Sequence, residues 1–234
     1  MALTVGIHVS AAAGSGTTLT TASRTTTDGS GIVIAVNYNG TFTSVSDSNL
    51  NDWLQIESVF DPTYGSGLSR MYYCASCTGG AGHTFSLNTS TSSSGAIYVQ
   101  EILASGGGGV TLDQSGRQQD SASPFVSPSE TTTVNDEFLA AYGDGDSGSD
   151  PDTWTAGASF TMQENVTDGV SFRTGAAGTR IVTATGTYNS SWTCGDSVDT
   201  TQWLATFYEA GAAGKPSFQL KPLRPKVFSP GLAR

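Results

Sequence analysis

Along most of the chain, apolar residues come in short runs rich in β-branched and aromatic side chains, cut by clusters of Gly, Ser, Asn and Asp. No stretch carries a helical period of any length, so the pattern predicts an all-β protein. "GIVIAVNY" (Gly31 to Tyr38) is apolar almost throughout and reads as a strand buried on both faces, because such a run has no polar side to offer water. "HTFSLNT" (His83 to Thr89) alternates Phe85 and Leu87 with Thr84, Ser86 and Asn88, the period of a strand with one face on a core and one wet. Further strands are expected in "LQIESVF" from Leu54, "RMYYCA" from Arg70, "AIYVQEILA" from Ala96, "EFLAAYG" from Glu137, "FTMQENV" from Phe160, "TRIVTATGTY" from Thr179 and "WLATFYEA" from Trp203. About ten to twelve strands of this length make a two-sheet antiparallel β-sandwich, or jelly roll, here assigned to residues 1–210.

The connections are Gly- and Ser-rich, as in "ASGGGGVT" after Ala104 and "GDGDSGSDPD" after Tyr142, where residues free to take positive φ let the chain reverse. Ser115 to Thr133 reads as one long connection over the surface, and the sequence shows no internal repeat. At Gly211 the character changes. Beyond this hinge lie Pro216, Pro222, Pro225 and Pro230, a density that favours an extended course, interleaved with Phe218, Leu220, Leu223, Val227, Phe228 and Leu232. A solvated linker does not carry so many large apolar side chains, so residues 211–234 are expected to form a docking arm.

Charge sharpens the contrast between the two parts. All 20 acids lie at or before Glu209, whereas five of the ten bases, Lys215, Lys221, Arg224, Lys226 and Arg234, fall in the last 21 residues. The body is thus −15 and the arm +5, within a total of −10. So negative a body repels phosphate backbones, which argues against nucleic acid, and its complement is an arm of this kind. There is no basic leader followed by an apolar stretch and no apolar run of spanning length, so neither export through a signal peptide nor a membrane partner is expected.

Candidate chemistry is sparse. Cys74 and Cys77 in "CASC", with His83 and Cys194, would suit a zinc ion, but only one knuckle is present; a local disulfide and free thiols are the alternatives, and free thiols are preferred. No cofactor is expected, with the exception that Asp144, Asp146, Asp150 and Asp152 would offer calcium its hard oxygen ligands; a solvated acidic turn is the simpler reading. The only histidines, His8 and His83, read as strand residues, with no nucleophile-elbow sequence beside either. Glu57 with Asp61, or Glu101 with Glu137, are the carboxylate pairs a glycosidase would need, yet the strand-alternating acidic triplet of glucanases is absent. No catalytic residue is therefore assigned. Trp53, Trp154 and Trp192 sit in turn-like sequence; Trp53 and Trp203 read as packing, and Trp154 and Trp192 as candidates to stack on sugar rings.

Several segments, "GIVIAVNYNGTFTSVSDSNLNDW", "RMYYCASCTGGAGHTFSL", "AIYVQEILA", "TLDQSG" and "TQWLATFYEA", in this order over about residues 28–210, resemble a family of β-sandwich proteins from bacteriophage, prophage and metagenome sequences. The resemblance implies a lectin-type jelly roll and a place on a virion surface as a capsid decoration, head fibre or tail accessory protein. It implies no catalytic residues. The expectation is therefore a non-enzymatic virion component made in the host cytoplasm, whose arm (Lys215, Phe218, Leu220, Lys221, Leu223, Arg224, Lys226, Phe228 and Arg234) grips other copies or other virion proteins. A carbohydrate-binding module or adhesin recognising host or environmental glycans is the alternative.

Overall fold

The computed structural model describes residues 2–60, 68–121, 123–146, 153–157, 159–167, 173–195 and 200–211; the arm from residue 212 lies outside them. Among the described residues there is no helix, and every sheet is antiparallel. The first half contains β1 (Leu3–Ala13), β2 (Thr18–Thr20), β3 (Arg24–Thr26), β4 (Gly31–Tyr38), β5 (Phe42–Asp47), β6 (Leu54–Phe60), β7 (Leu68–Cys74), β8 (Gly80–His83), β9 (Phe85–Thr89) and β10 (Gly95–Ala104). The second contains β11 (Val110–Asp120), β12 (Phe125–Val126), β13 (Glu130–Thr131), β14 (Glu137–Asp146), β15 (Thr155–Ala156), β16 (Thr161–Thr167), β17 (Arg173–Val182), β18 (Thr187–Tyr188), β19 (Ser191–Thr193) and β20 (Thr200–Glu209).

The strand orders reveal a repeat. The first half forms sheets β1-β10-β4-β7-β6, β2-β9-β5 and β3-β8; the second forms β11-β20-β14-β17-β16, β12-β19-β15 and β13-β18. Adding ten to every number of the first set gives the second. The match extends to detail: the first strand of each half carries a bulge at the same height, between Val5 and His8 in one and between Leu112 and Gln114 in the other. Each bulge leaves a backbone amide to be satisfied by the seventh residue of the last strand, Ile7 N donating to Glu101 Oε2 at 2.9 Å and Gln114 N to Thr206 Oγ1 at 3.2 Å.

The two five-stranded sheets pack face to face. β1 lies against β16 and β11 against β6, the exchange expected of an approximate two-fold axis running along the strands. Their shared core holds Val33, Ala35, Met71, Tyr98 and Ile102 from one half and Phe138, Ala140, Tyr142, Trp203 and Phe207 from the other. Two aromatic side chains at matching positions cross it reciprocally. Trp203 Nε1 donates to Ser69 Oγ at 2.8 Å, and Tyr98 reaches the facing Gly175, where a Cβ would stand 2.8 Å from its hydroxyl. The smaller sheets cover the outer faces, β2-β9-β5 burying Phe85 and Leu87 on Ile32, Ile34 and Val36, and the second set burying Phe125 and Trp192 on Leu139, Ala141 and Leu204.

The expected double-sided burial of Gly31–Tyr38 and the alternation of Phe85–Thr89 both hold. Three readings change. The sandwich has outer layers as well as two central sheets, because strands of two or three Thr- and Ser-rich residues carry too little apolar pattern to be seen in sequence. Ser115 to Thr133 is not one connection: it begins as the second half of β11 and includes β12 and β13. And the chain does contain a repeat, one of topology and burial rather than of residue identity.

Candidate functional site

Most of the titratable groups considered above have structural partners. Glu101 is buried; besides the bulge amide of Ile7 it accepts Thr27 N at 2.6 Å, tying the connection before β4 to the sheet edge. A side chain at residue 6 would collide with this carboxylate, 2.4 Å from its oxygen, which is why a glycine stands there. Glu137 does the corresponding work in the second half, Oε1 accepting Thr133 N and Val134 N at 3.0 Å each. Burial raises its pKa, with the neighbouring Asp113 carboxylate adding to the rise. The pair Glu101 and Glu137 thus belongs to two separate anchors and not to one cleft; Asp61 lies outside the described residues.

Both histidines are in strands. His83 is buried between Thr26 Oγ1 (2.7 Å from Nδ1) and Asp47 Oδ1 (3.0 Å from Nε2). The order acid, imidazole, hydroxyl is that of a nucleophilic triad, but Thr26 is buried too, and Asp47 also accepts Asn49 N at 2.7 Å and Trp53 Nε1 at 2.8 Å. It is a brace. At the edge where β1 meets β16, Glu164 takes His8 Nδ1 at 2.6 Å and the Ser10 hydroxyl; the serine proton points at the carboxylate rather than the imidazole, so no relay is formed. The opposite edge has a matching clasp, Glu57 accepting Ser115 Oγ at 2.9 Å with Arg117 Nε at 3.7 Å.

The sugar-stacking candidates are overturned. Trp154 and Trp192 are 1 % and 0 % exposed, edge to face with centroids 6.5 Å apart, and Trp154 Nε1 donates to Thr174 Oγ1 at 2.7 Å. They form the core under the outer sheet of the second half, because a strand-poor, turn-rich layer needs large side chains to cover a five-stranded sheet. Trp203 is buried and Trp53 half-buried, as expected.

The acidic turn is also redrawn. β14 runs through Asp144 to Asp146, and Asp144 is buried with Oδ1 accepting Thr201 N at 3.3 Å, so it is not on a solvated turn. Asp150 and Asp152 lie outside the described residues. Cys74 and Cys77 form a disulfide, correcting the preference for free thiols; the turn after β7 brings their Cα atoms to 5.8 Å, within the range a bridge spans. Cys194 packs half-buried against the core of the second half, away from both. Among the described residues no group of three or more His, Cys, Asp or Glu is placed to hold a metal ion.

What remains as a candidate surface is one pole. Strand directions bring together the start of β1, the bridge between halves and the end of β20: Leu3 pairs with Ala104, Ala210 N donates to Gly109 O at 3.1 Å, and Gly106 N donates to Glu209 Oε1 at 2.6 Å. The same pole includes residues 27–30, 48–53 and 75–79, linked through Cys77 N to Ser30 O at 2.8 Å, Val110 N to Ala75 O at 2.7 Å and Thr78 N to Asn51 Oδ1 at 2.7 Å. The connections there, with 132–136 and 183–186 from the second half, carry Asp28, Asp52 and Asp136 and no Lys or Arg. The arm residues from Lys215 to Arg234 follow Gly211 in the sequence and lie outside the described residues. Comparison with family models, curated proteins and solved structures returned no match.

Proposed function

We propose that the protein is a non-enzymatic structural part of an assembly: a duplicated jelly roll held to neighbouring subunits by residues 211–234, in the role of a virion surface component. One observation carries this reading. The chain leaves its body at a pole whose described connections carry Asp28, Asp52 and Asp136 and no Lys or Arg, and the segment that follows carries five bases, no acid and six large apolar side chains. Opposite charge steers and orients such a segment onto the same pole of a neighbour, while apolar burial supplies the affinity. Proline stiffening lowers the freedom lost on docking. The occupation of Glu101, Glu137, His83 and Asp47 by backbone amides and buried side chains favours a scaffold over a catalyst.

Light scattering after size exclusion tests it, comparing the full chain with one stopped at Ala210. The full chain is expected to associate, more weakly as salt rises, and the shortened chain to remain a monomer. Equal masses for the two would end the proposal.

A further inference from the structure

Leu50 stands in solvent. It is 90 % exposed, and its φ is +59°, a left-handed conformation in which the Cβ of any residue but glycine crowds the following carbonyl. The loop that holds it is firmly built. Asp47 accepts Asn49 N at 2.7 Å and Asn51 N at 3.2 Å, Asn49 Nδ2 donates to Thr78 O at 3.0 Å, and Asn51 Oδ1 accepts Thr78 N at 2.7 Å. Glycine at this position would remove the backbone cost, and the flanking asparagines would bear it more easily than leucine. A bulky apolar side chain kept at a strained, braced and exposed tip points to use.

We propose that Leu50 is the knob on which the C-terminal segment, residues 212–234, of a second copy docks; the inference rests on the assembly role proposed above. The loop lies at the pole from which that segment departs, joined to it through the hydrogen bonds from Asn51 to Thr78, Cys77 to Ser30 and Val110 to Ala75. Exposed Asp28 and Asp52 flank the knob with charge opposite to that of the segment. Twenty-three residues in extended form reach about 75 Å, beyond the roughly 45 Å breadth of a body this size, so a neighbour is within range.

Association of the full chain is measured by light scattering over a dilution series for the parent, Leu50→Asp and Leu50→Gly, with the chain stopped at Ala210 as control. Both substitutions are expected to weaken association at least tenfold, and Leu50→Gly to do so with an unchanged or higher melting temperature, since it relieves the backbone. If the shortened chain is monomeric while both variants associate like the parent, the knob is refuted and the assembly role stands. If the shortened chain associates like the full one, the assembly role itself falls. Protection of residues 48–52 from hydrogen exchange that requires the C-terminal segment but not a second copy, unchanged on dilution, would also overturn the proposal.

Discussion

At the scale of the residue, single carboxylates hold the sheet edges. The buried Glu101 carboxylate accepts from two part-buried backbone amides, so Glu101→Ala removes both bonds and is expected to cost about 1–3 kcal/mol in urea unfolding. Gly6→Ala, which places a methyl on the same carboxylate, is expected to destabilise comparably, although nothing else about residue 6 would suggest it. Glu137 carries the pH dependence. Its folded pKa is raised by burial, so the proton is held more tightly in the folded chain; that contribution to stability is complete below the unfolded value of 4.5 and is lost as pH rises through the folded value. Glu130, raised by burial and by Glu57, adds in the same direction. Glu137→Gln keeps the acceptor for Thr133 and Val134 but cannot ionise, and should flatten the decline in melting temperature as pH rises above the unfolded value of 4.5. An unchanged slope would refute this assignment. None of these anchors was legible in the sequence, because an anchoring glutamate differs from a solvated one only in which amides lie beside it.

At the scale of the element, periodicity revealed what packing enforces and missed what it does not. Gly31–Tyr38 and Phe85–Thr89 could be read because burial on two faces, or on one, writes itself into residue type at each position. Glu130–Thr131 pairs with Thr187–Tyr188 through backbone and threonine hydroxyls and leaves no apolar trace of its own, and the single strand expected from Thr179 to Tyr188 is broken by a turn at 183–186 into β17 and β18. The same limit misled the reading of tryptophan. In "PDTWTAG" and "NSSWTCG" the neighbours look like turns, yet Trp192 is the inward residue of the short strand β19, and Trp154, one residue before β15, is buried in the same core. Trp192→Ala is accordingly expected to cost about 3–5 kcal/mol in unfolding free energy; a folded, fully stable variant would contradict the burial. Reduction of Cys74–Cys77 is expected to cost only about 2 kcal/mol, since the bridge closes a loop of four residues, and a Cys74→Ser, Cys77→Ser pair measured by chemical unfolding checks it.

At the scale of the whole molecule, the two halves form one cooperative body. The central core takes side chains from both, and Trp203 and Tyr98 each cross to the opposite sheet, so neither half retains a complete core without the other. Calorimetry should show a single transition with equal calorimetric and van't Hoff enthalpies, and two resolved transitions would disprove the shared core. The duplication itself was hidden in the sequence because equivalent positions keep burial while changing chemistry: Tyr98 matches Trp203, Ile102 matches Phe207, and Glu101 matches Thr206. The bridge from Ala104 to Val110 spans, with only five residues, a gap that the two-fold axis reproduces between Glu209 and Leu3. A chain reordered to begin at Val110, with a linker of that length joining its two original ends, should therefore close into the same architecture, making the order in which the halves are synthesised a matter of indifference to the finished fold.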